Sequence, residues 1–366
     1  MMTEQDILQA LGNVQEPDLG KDLVTLNMIK DIAIDGNKVS FTVVLTTPAC
    51  PMKDLIMNAC INAVKLLVNK EAVVTVNFTS NTSSNRTDAK TLLKGVKNII
   101  TVVSGKGGVG KSTVAANFAL ALSQGGASVG LMDADIYGPS QHIMFGVRGE
   151  RPMMKDDGSG KGLIVPIEKF GIKMMSIGLL VDEKQAVVWR GPMVSSAIKQ
   201  FVSEVDWGEL DYLVIDMPPG TGDIQLTLCQ RVPVSGALIV TTPQDLALLD
   251  AKKALKMFEK VDVPVLGIVE NMATHICTIC GHEEAIFGAG GGAKMAGEYH
   301  VALLGQLPLA MRIRAAADSG APTVVSDPDS ELAERYRMIA RKTAARLGQS
   351  ARNKAIAFPK IVIQNT

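Results

Sequence analysis

Residues 104–113 carry the most specific chemical pattern in the sequence, and they read S-G-K-G-G-V-G-K-S-T. The stretch fits the phosphate-loop pattern G-x-x-x-x-G-K-[ST], with Gly105, Gly110, Lys111 and Ser112 on its fixed positions. Such a loop turns backbone N–H groups toward a polyphosphate at a helix N-terminus, where anions are favoured. The sequence therefore predicts a nucleotide site, in which Lys111 reaches the β- and γ-phosphates and Ser112 binds Mg²⁺. The residues predicted to line it are Gly105, Lys106, Gly107, Gly108, Val109, Gly110, Lys111, Ser112 and Thr113.

Three aspartates follow apolar segments downstream of this loop. Asp133 and Asp135 come after residues 128–132, and Asp216 closes residues 212–215. Carboxylates at the carboxyl ends of strands can hold the water shell of a metal or orient an attacking water. Asp133 and Asp135 could equally be turn formers or helix caps. Asp216 is predicted to support Mg²⁺, because the unusual loop M-P-P-G-T-G-D fixes the chain directly after it.

Cys277 and Cys280 form a C-x-x-C-G-H motif just before a glycine-rich segment. Two thiolates at this spacing can chelate one soft metal centre, whereas structural zinc and cubane iron–sulfur sites usually need four protein ligands. One chain therefore offers half a site, to which His282 could add a third ligand. A symmetric dimer would complete a four-thiolate set across its two-fold axis. A redox dithiol and a zinc knuckle are the alternatives.

Length and composition narrow the class of protein. The chain has 366 residues, which suggests two domains, and a formal net charge of +0, which gives no electrostatic case for nucleic acid or an anionic membrane. Its 5 cysteines are too few for a disulfide framework. No apolar run approaches the ~20 residues of a membrane span. Residues 1–9 lack a signal-peptide pattern, so a reducing cytoplasm is the expected location.

The segments around the site residues alternate between strand and helix patterns. Residues 99–103 are a β-branched run typical of a buried strand, and residues 115–122 continue as a helix. Further strands are predicted at residues 128–132, 212–215, 237–241, 265–269 and 301–307, with helices at 246–260 and 331–347. This alternation predicts the α/β class, with a doubly wound, mainly parallel sheet. Residues 149–162 are predicted to be a surface loop. Asn271, just after a predicted strand, offers an amide that could read an adenine edge.

The first residues of the chain predict a separate small α+β domain. Thr3 would cap a first helix, and the D-G-N turn at residues 35–37 would join two strands as a hairpin. Its remaining predicted elements are a helix from Pro51 to about residue 68 and a strand at residues 72–78. The chain is thus divided into the small domain at residues 1–78, a polar linker at 79–97, a nucleotide-binding domain at 98–350 and a tail at 351–366.

Cys50 is the one residue of the small domain with possible chemistry. It lies in the junction T-T-P-A-C-P, where the dipole of a following helix would lower the pKa of its thiol. The alternative is a small buried residue at a helix start. With its E-P-D turn and this junction, the segment resembles the small α+β domain of many iron–sulfur assembly proteins.

Longer motifs identify a family resemblance for the rest of the chain. The phosphate loop contains a second lysine, Lys106, as in the MinD/ParA/nitrogenase-iron-protein group of dimerising ATPases. Added to it are D-A-D-I-Y-G-P-S, V-I-D-M-P-P-G-T-G-D, the E-N-M turn, and C-x-x-C-G-H followed by I-F-G-A-G-G-G. Over about residues 92–347 the chain closely resembles the Mrp/ApbC family of iron–sulfur cluster carrier ATPases.

This resemblance implies a role for each residue of the nucleotide site. Lys111 and Ser112 would bind the phosphates of ATP and Mg²⁺, while Lys106 would reach across a homodimer to the partner's nucleotide. Asp133 and Asp135 would lie in the switch that positions the attacking water. Asp216 would support Mg²⁺ through water, and Asn271 would contact adenine.

For the cysteines, the resemblance implies that Cys277 and Cys280 hold a labile [4Fe–4S] cluster between two subunits. The expected partners are a second copy, apoprotein recipients of the cluster and scaffold proteins, with neither nucleic acid nor membrane. The residues ahead of the motif, M-A-T-H-I, depart from the Pro and Phe that members more often have. The ligands are unaffected by this departure. The four-cysteine N-terminal extension of some relatives is absent, so a second stable cluster is not expected.

Two rival functions remain open at this point. A positioning ATPase of the ParA/MinD type would act on DNA or membrane and use the C-x-x-C as a structural zinc or redox site. The neutral net charge weakens the DNA version, and residues 355–363 lack the basic amphipathic helix of a membrane anchor. A cluster-dependent reductase like the nitrogenase iron protein is the other rival, although its cluster cysteines are widely separated in sequence.

Overall fold

A computed structural model of the chain describes residues 2–17, 20–45, 52–80, 93, 95–156, 158, 162–181, 189, 191–277 and 279–357. The chain falls into two compact units, Met1–Asn85 with Ala344–Thr366, and Arg86–Thr343. Cys50 with its junction, most of the predicted linker and the end of the predicted tail lie outside the described residues. Within the described ranges, no helix is both long and apolar enough to cross a membrane.

The N-terminal unit packs two helices on a small sheet. Its first helix begins with the predicted capping box, in which the Thr3 hydroxyl accepts from the Asp6 N–H and the Asp6 carboxylate accepts from the Thr3 N–H. In chain order the elements are α1 (Glu4–Leu11), β1 (Gln15–Glu16), β2 (Lys21–Asp22), β3 (Ile29–Asp35), β4 (Lys38–Leu45), α2 (Lys53–Leu67) and β5 (Val73–Ser80). β3 and β4 form the predicted antiparallel hairpin, and β5 adds to β4 in parallel. A fully buried core that includes Phe41, Ile56 and Cys60 joins these elements.

The large unit contains the remaining elements, except that the last helix continues past Thr343 into residues assigned to the first unit. In chain order these are β6 (Val96–Val103), α3 (Lys111–Gln124), β7 (Val129–Asp133), α4 (Gln141–Met144), β8 (Met154–Lys155), β9 (Leu163–Ile164), β10 (Ile167–Lys169), β11 (Ile172–Ser176), α5 (Gly191–Ser203), β12 (Leu210–Asp216), α6 (Asp223–Arg231), β13 (Gly236–Thr241), α7 (Asp245–Lys260), β14 (Val265–Glu270), β15 (His275–Ile276), β16 (Glu283–Glu284), α8 (Gly291–Glu298), β17 (Leu303–Gln306), α9 (Met311–Asp318), α10 (Thr323–Ser326) and α11 (Glu331–Ala357).

An eight-stranded sheet organises this unit, with strand order β10-β11-β7-β12-β6-β13-β14-β17. All neighbouring strands are parallel except β10, which runs antiparallel to β11. The predicted doubly wound, mainly parallel α/β sheet is therefore confirmed. Register places Asp133 of β7 directly between Asp216 of β12 and Ser176 of β11. Because parallel strands end at the same edge, three polar side chains meet beside the loop that follows β6.

The structure contains several helices where none was predicted, such as α5, α6, α8 and α9, and three further segments also differ from the sequence-based expectation. The sheet extends through β10 and β11, for which no strand was predicted, because Lys173 interrupts a short methionine-rich run. The predicted surface loop at residues 149–162 contains β8, which pairs with β9. The last helix, predicted to end near residue 347, continues to Ala357. Its continuation is polar, so hydrophobic periodicity gave no signal there.

Candidate functional site

The phosphate loop joins β6 to α3, and two of its glycines are required by its backbone. Gly108 and Gly110 both have φ of +82°, in the left-handed region that other residues rarely adopt. A Cβ on Gly105 would collide with the backbone of Asp250 on α7. The loop thus curves tightly at the start of α3, whose N-terminus favours an anion. Lys106 is exposed on its outer side.

Lys111 is enclosed by carboxylates at the centre of the site. Its side chain is 6 % exposed and makes an ion pair with the fully buried Asp216. Its ammonium also lies 3.7 Å from Asp135 Oδ2 and 3.2 Å from the Ser112 hydroxyl. The structure therefore brings together four of the residues selected from the sequence. We refer to residues 105–113 with Asp135 and Asp216 as the nucleotide pocket.

Gln141 also belongs to this site, although it was not predicted from the sequence. Its side-chain amide donates to Asp216 Oδ2 at 2.8 Å and to the Ser112 carbonyl at 3.0 Å. The Gln141 side chain is fully buried, and its Oε1 has no hydrogen-bond partner within the described residues. It holds Asp216 by the oxygen that Lys111 leaves free. No local pattern marks it, because the contact spans 75 positions of the chain.

Asp133 is fully buried and orders the loop that follows it. Its carboxylate accepts from the backbone N–H groups of Asp135, Ser140 and Gln141, at 3.0 to 3.2 Å, and from the Ser176 hydroxyl at 2.9 Å. Burial, and then the neighbouring Asp216 charge, raise the pKa of Asp133 to about 7. Its geometry fits a group that shapes the loop carrying Asp135. The predicted part of both aspartates in positioning water stays a prediction.

The segment after Asp216 is fastened to the phosphate loop. The Gly220 N–H donates to the Ser104 carbonyl at 2.9 Å, and the Gln225 amide donates to the carbonyls of Pro218 and Pro219 at 3.0 Å. These bonds satisfy carbonyls that the prolines cannot pair within a helix or strand. One backbone hydrogen bond therefore connects the two loops directly.

Asn271 contacts the phosphate loop from the opposite side. Its side-chain amide donates to the Val109 carbonyl at 2.8 Å, and its backbone N–H donates to the Thr241 carbonyl at 2.7 Å. Met272, the next residue, has a φ of +55°, which is unusual for a residue with a side chain. The predicted adenine contact of Asn271 stays a prediction.

Cys277 and Cys280 lie on a small hairpin formed by β15 and β16, here called the cysteine hairpin (residues 275–284). The Cys277 N–H donates to the His282 carbonyl at 2.9 Å, and the Gly281 N–H donates to the Cys277 carbonyl at 2.9 Å. The backbone N–H of Cys280, then that of Ile279, donate to the Cys277 sulfur and lower the pKa of its thiol. Within the described ranges, no three His, Cys, Asp or Glu side chains are grouped to hold a metal. The hairpin therefore offers two thiols and no third ligand from His282.

Glu270 binds the chain where it enters α8 after this hairpin. It was not among the site residues predicted from the sequence. Its fully buried carboxylate accepts from the Gly292 N–H at 2.6 Å and from the Gln306 amide. On the other side, the Leu309 N–H donates to the Thr274 carbonyl at 2.6 Å. A charged residue that ends an apolar strand was the available signal, as it was for Asp216.

Comparison with known proteins adds independent information. Residues 95–344 match the family described as NUBPL iron-transfer P-loop NTPase, and residues 4–78 match the family described as iron-sulfur cluster assembly protein. A Synechocystis protein named iron-sulfur cluster carrier protein is 50% identical over 354 residues, covering 96% of this chain and 99% of its own. An Escherichia coli K12 protein of the same name is 48% identical over 338 residues, covering 92% and 90%.

A solved structure also resembles this chain. It is a nucleotide-binding protein in complex with ADP from Archaeoglobus fulgidus, with 39% sequence identity and a TM-score of 0.55, covering 62% of this chain and 88% of that one. The first family match spans the nucleotide pocket, Asn271 and both cysteines of the hairpin.

Proposed function

The chain belongs to the NUBPL iron-transfer P-loop NTPase family, and on that premise we propose that it is an ATP-hydrolysing carrier of a labile [4Fe–4S] cluster. The cluster would bind between the two subunits of a homodimer and pass from there to recipient apoproteins. The relatives named iron-sulfur cluster carrier protein support this proposal. The observation that carries it is a pair of accessible thiols, with no third ligand among the described residues, in a chain that also contains a complete phosphate loop.

Hydrolysis would begin with an exchange of partners at Lys111. Its ammonium now pairs with Asp216, and arriving phosphates would draw it to the β- and γ-oxygens. Gln141 would keep Asp216 oriented after that exchange, since it holds the other carboxylate oxygen. Water would then attack the γ-phosphorus, and the bond to the bridging oxygen would break, with Asp135 at the edge of the pocket to orient that water. The exposed Lys106 would complete the partner's site.

The donor set beside Lys111 fits Mg²⁺. The Ser112 hydroxyl and the Asp216 carboxylate are hard oxygen groups of the kind that this cation prefers. Bound there, Mg²⁺ would neutralise charge that develops on the transferred phosphoryl group. Gln141 and Asp133 are the residues that would hold the surrounding loops in place.

The cluster, as cargo, would be held by four thiolates from two chains. Each cysteine hairpin supplies two, so a two-fold axis between hairpins completes the set that a cubane needs. Cys280 is exposed and Cys277 is half-buried, which leaves both sulfurs open to a partner and to a recipient. A lowered pKa of Cys277 favours its thiolate, the form that binds iron.

A change in the bound nucleotide would alter the cluster site through the short segment between Asn271 and Cys277. The Asn271 amide is hydrogen-bonded to the Val109 carbonyl of the phosphate loop. The Glu270 carboxylate accepts from the Gly292 N–H, at the start of α8 after the hairpin. If Asn271 exchanged the Val109 carbonyl for adenine, the start of this segment would shift. That shift would alter the spacing of the thiols between two subunits.

Anaerobic reconstitution with iron and sulfide tests the cluster site. The wild type should take up ~4 iron per two chains and shift in mass from monomer to dimer. Cys277→Ala or Cys280→Ala should abolish uptake, since each substitution removes two of the four ligands of a dimer. Cys229→Ala is the matched control, because Cys229 is a buried core thiol on α6. A tightly bound zinc in a monomer, with no iron uptake, would contradict the proposal and favour a positioning ATPase.

A further inference from the structure

A groove of about 610 Å³ opens beside Cys277 in the large unit. One wall is the cysteine hairpin itself, at Cys277 and Gly281. The facing wall is formed by α9 and the start of α11, and its apolar side chains are those of Met311, Ala315 and Leu332. We call this space the cysteine groove. Its lining is mainly apolar, and Met311 is 61% exposed at its edge.

Next to the groove, the tip of the cysteine hairpin presents an apolar side chain. Ile279 lies between the two cysteines and is 94% exposed, the highest value for a large apolar side chain among the described residues. Burying such a side chain against another apolar surface would be favourable in free energy, because its apolar area would leave water. An exposed apolar knob, Ile279, therefore lies in the sequence between Cys277 and Gly281, the two hairpin residues that line the groove.

Three exposed charged side chains at the hairpin and the groove have no ion-pair partner among the described residues, whereas Glu331 and Arg335, which also line the groove, pair with each other. Glu283 and Glu284 are exposed on β16, and Arg312 is exposed on α9 beside the groove. None of the three takes part in an ion pair among the residues that the structure describes. Glu283 and Glu284 on β16 and Arg312 on α9 thus carry opposite charges that a second copy could bring together.

We propose that the cysteine groove receives Ile279 of a second copy of this chain, and that each copy does so for the other. The inference rests on the proposed function for one point, the two-fold axis between the cysteine hairpins. Consecutive Cα atoms are about 3.8 Å apart, so a partner's Cys280 brought to a shared cluster brings the partner's Ile279 beside Cys277. A two-fold axis makes the contact reciprocal, with two knobs in two grooves.

The same arrangement would place the acidic β16 of one protomer against the α9 of its partner. Arg312 would then face carboxylates across the interface. The two apolar contacts flank the thiols, so they would exclude water from the bound cargo. Release of the cluster to a recipient would require the knobs to leave the grooves.

Substitution of the knob tests the inference in the cluster-loaded protein. Ile279→Asp should weaken dimerisation by about 100-fold or more, the effect expected for loss of two large buried apolar side chains, one from each protomer. Sedimentation under anaerobic conditions measures the dissociation constant. The control is Ile286→Asp, because Ile286 is 48% exposed and does not line the groove. At 94% exposure, residue 279 can be changed without loss of the fold.

Substitution of the groove tests for direct contact. Met311→Asp should weaken the loaded dimer as Ile279→Asp does, and the double variant should be little weaker than either one. Such non-additivity is expected when two side chains touch each other. Fully additive effects would overturn the contact. So would a Met311→Asp protein that dimerises normally but transfers its cluster slowly, since the groove would then receive a recipient protein.

The outcomes separate this inference from the proposed function. A loaded wild type that sediments as a monomer would overturn the bridging cluster and with it the reciprocal contact. A loaded wild-type dimer whose dissociation constant is unchanged by both substitutions would overturn the knob and groove alone.

Discussion

The nucleotide pocket and the cysteine hairpin differ in how many of their functional side chains have partners within one chain. In the pocket, Lys111 is 6% exposed and Asp216 is fully buried, and both have specific partners. In the hairpin, Cys280 is exposed, Ile279 is 94% exposed, and the strands are two residues long. The pocket is preorganised by long-range contacts, whereas the hairpin presents groups that a second molecule must complete.

The difference follows from the proposed functions of the two regions, phosphoryl transfer in the pocket and release of a cluster at the hairpin. A pocket for phosphoryl transfer works by fixed charges and dipoles, so its side chains must be held before the substrate arrives. A carrier must release its cargo, so its ligands have to remain reachable. Burial of the thiols by their own chain would oppose that release. Stability and exchange are therefore divided between two regions of one compact unit.

The largest expected effect is in the pocket, from Lys111→Ala. Loss of the ammonium should lower the rate of ATP hydrolysis by about 100-fold or more, since a preorganised charge on the transferred phosphate is removed. Anaerobic cluster uptake should be retained, because the thiols do not depend on that charge. Lys252→Ala is the control, as Lys252 forms an ion pair on the surface. Undiminished ATPase activity would show that the pocket is not the catalytic site.

A second prediction concerns the positioning of Asp216 by Gln141. Gln141→Leu removes both donated hydrogen bonds and should lower kcat by about 10-fold, because Asp216 loses the partner that remains after Lys111 moves. The Mg²⁺ concentration for half-maximal rate should rise with it. The matched control is Gln124→Leu, since Gln124, at the end of α3, donates to the Val324 carbonyl on α10 and not to the nucleotide pocket. A normal Mg²⁺ dependence would refute this role.

A smaller effect should link the two regions through Asn271. ATP should change the alkylation rate of Cys280 in the wild type, and Asn271→Ala should reduce that change several-fold, because the bond to the Val109 carbonyl is lost. Mass spectrometry of the cysteine peptide measures the rate with and without ATP. Asn37→Ala, in the N-terminal unit, should leave the change intact. If ATP changes the alkylation rate equally in the wild type and in Asn271→Ala, Asn271 does not couple the nucleotide pocket to the cysteine hairpin.

The last effect is on stability and not on rate, and it is a pH dependence at Asp133. Its folded-state pKa of about 7 exceeds the ordinary 3.8, so the folded state binds the extra proton between about pH 4 and 7. Ionisation therefore costs the folded state stability as pH rises through that window. The contribution has a slope of at most about 1.4 kcal/mol per pH unit.

Asp133→Asn should remove this slope, as measured by urea unfolding at pH 5 and pH 7. The control is Asp206→Asn, because Asp206 is half-buried in a surface ion pair and carries no comparable burial cost. Parallel stability changes in Asp133→Asn and the wild type would indicate that Asp133 is ionised throughout.

Much of the fold and of the pocket could be predicted from sequence, because their signals are local. The phosphate loop occupies ten consecutive positions, residues 104–113, and Asp216 directly ends an apolar run. The strands at residues 99–103 and 265–269 are continuous apolar stretches, which is the pattern of strands buried on both faces. Each of these features depends on residues that are neighbours in sequence, so it can be predicted from the sequence alone.

The missed features depend on contacts that form only when the chain folds. Gln141 reaches Asp216 across 75 positions without any local pattern. The Gly292 bond to Glu270 spans 22 positions, and only the place of Glu270 at the end of an apolar strand hints at it. β11 was missed because a short, methionine-rich run with a lysine has no clear period. The groove beside Cys277 likewise arises from packing of α9 and α11, and sequence periodicity says nothing about a space between helices.

Transfer of the cluster to an apoprotein tests the central claim most directly. Anaerobically loaded protein should restore the visible absorbance of a purified apo iron–sulfur protein in the presence of an iron chelator, which excludes transfer through free iron. Loaded protein should lose its ~4 iron per dimer in step with that gain. Cys280→Ala protein, treated in the same way, should transfer none. A loaded wild type that keeps its iron, or a gain that the chelator abolishes, would contradict the account.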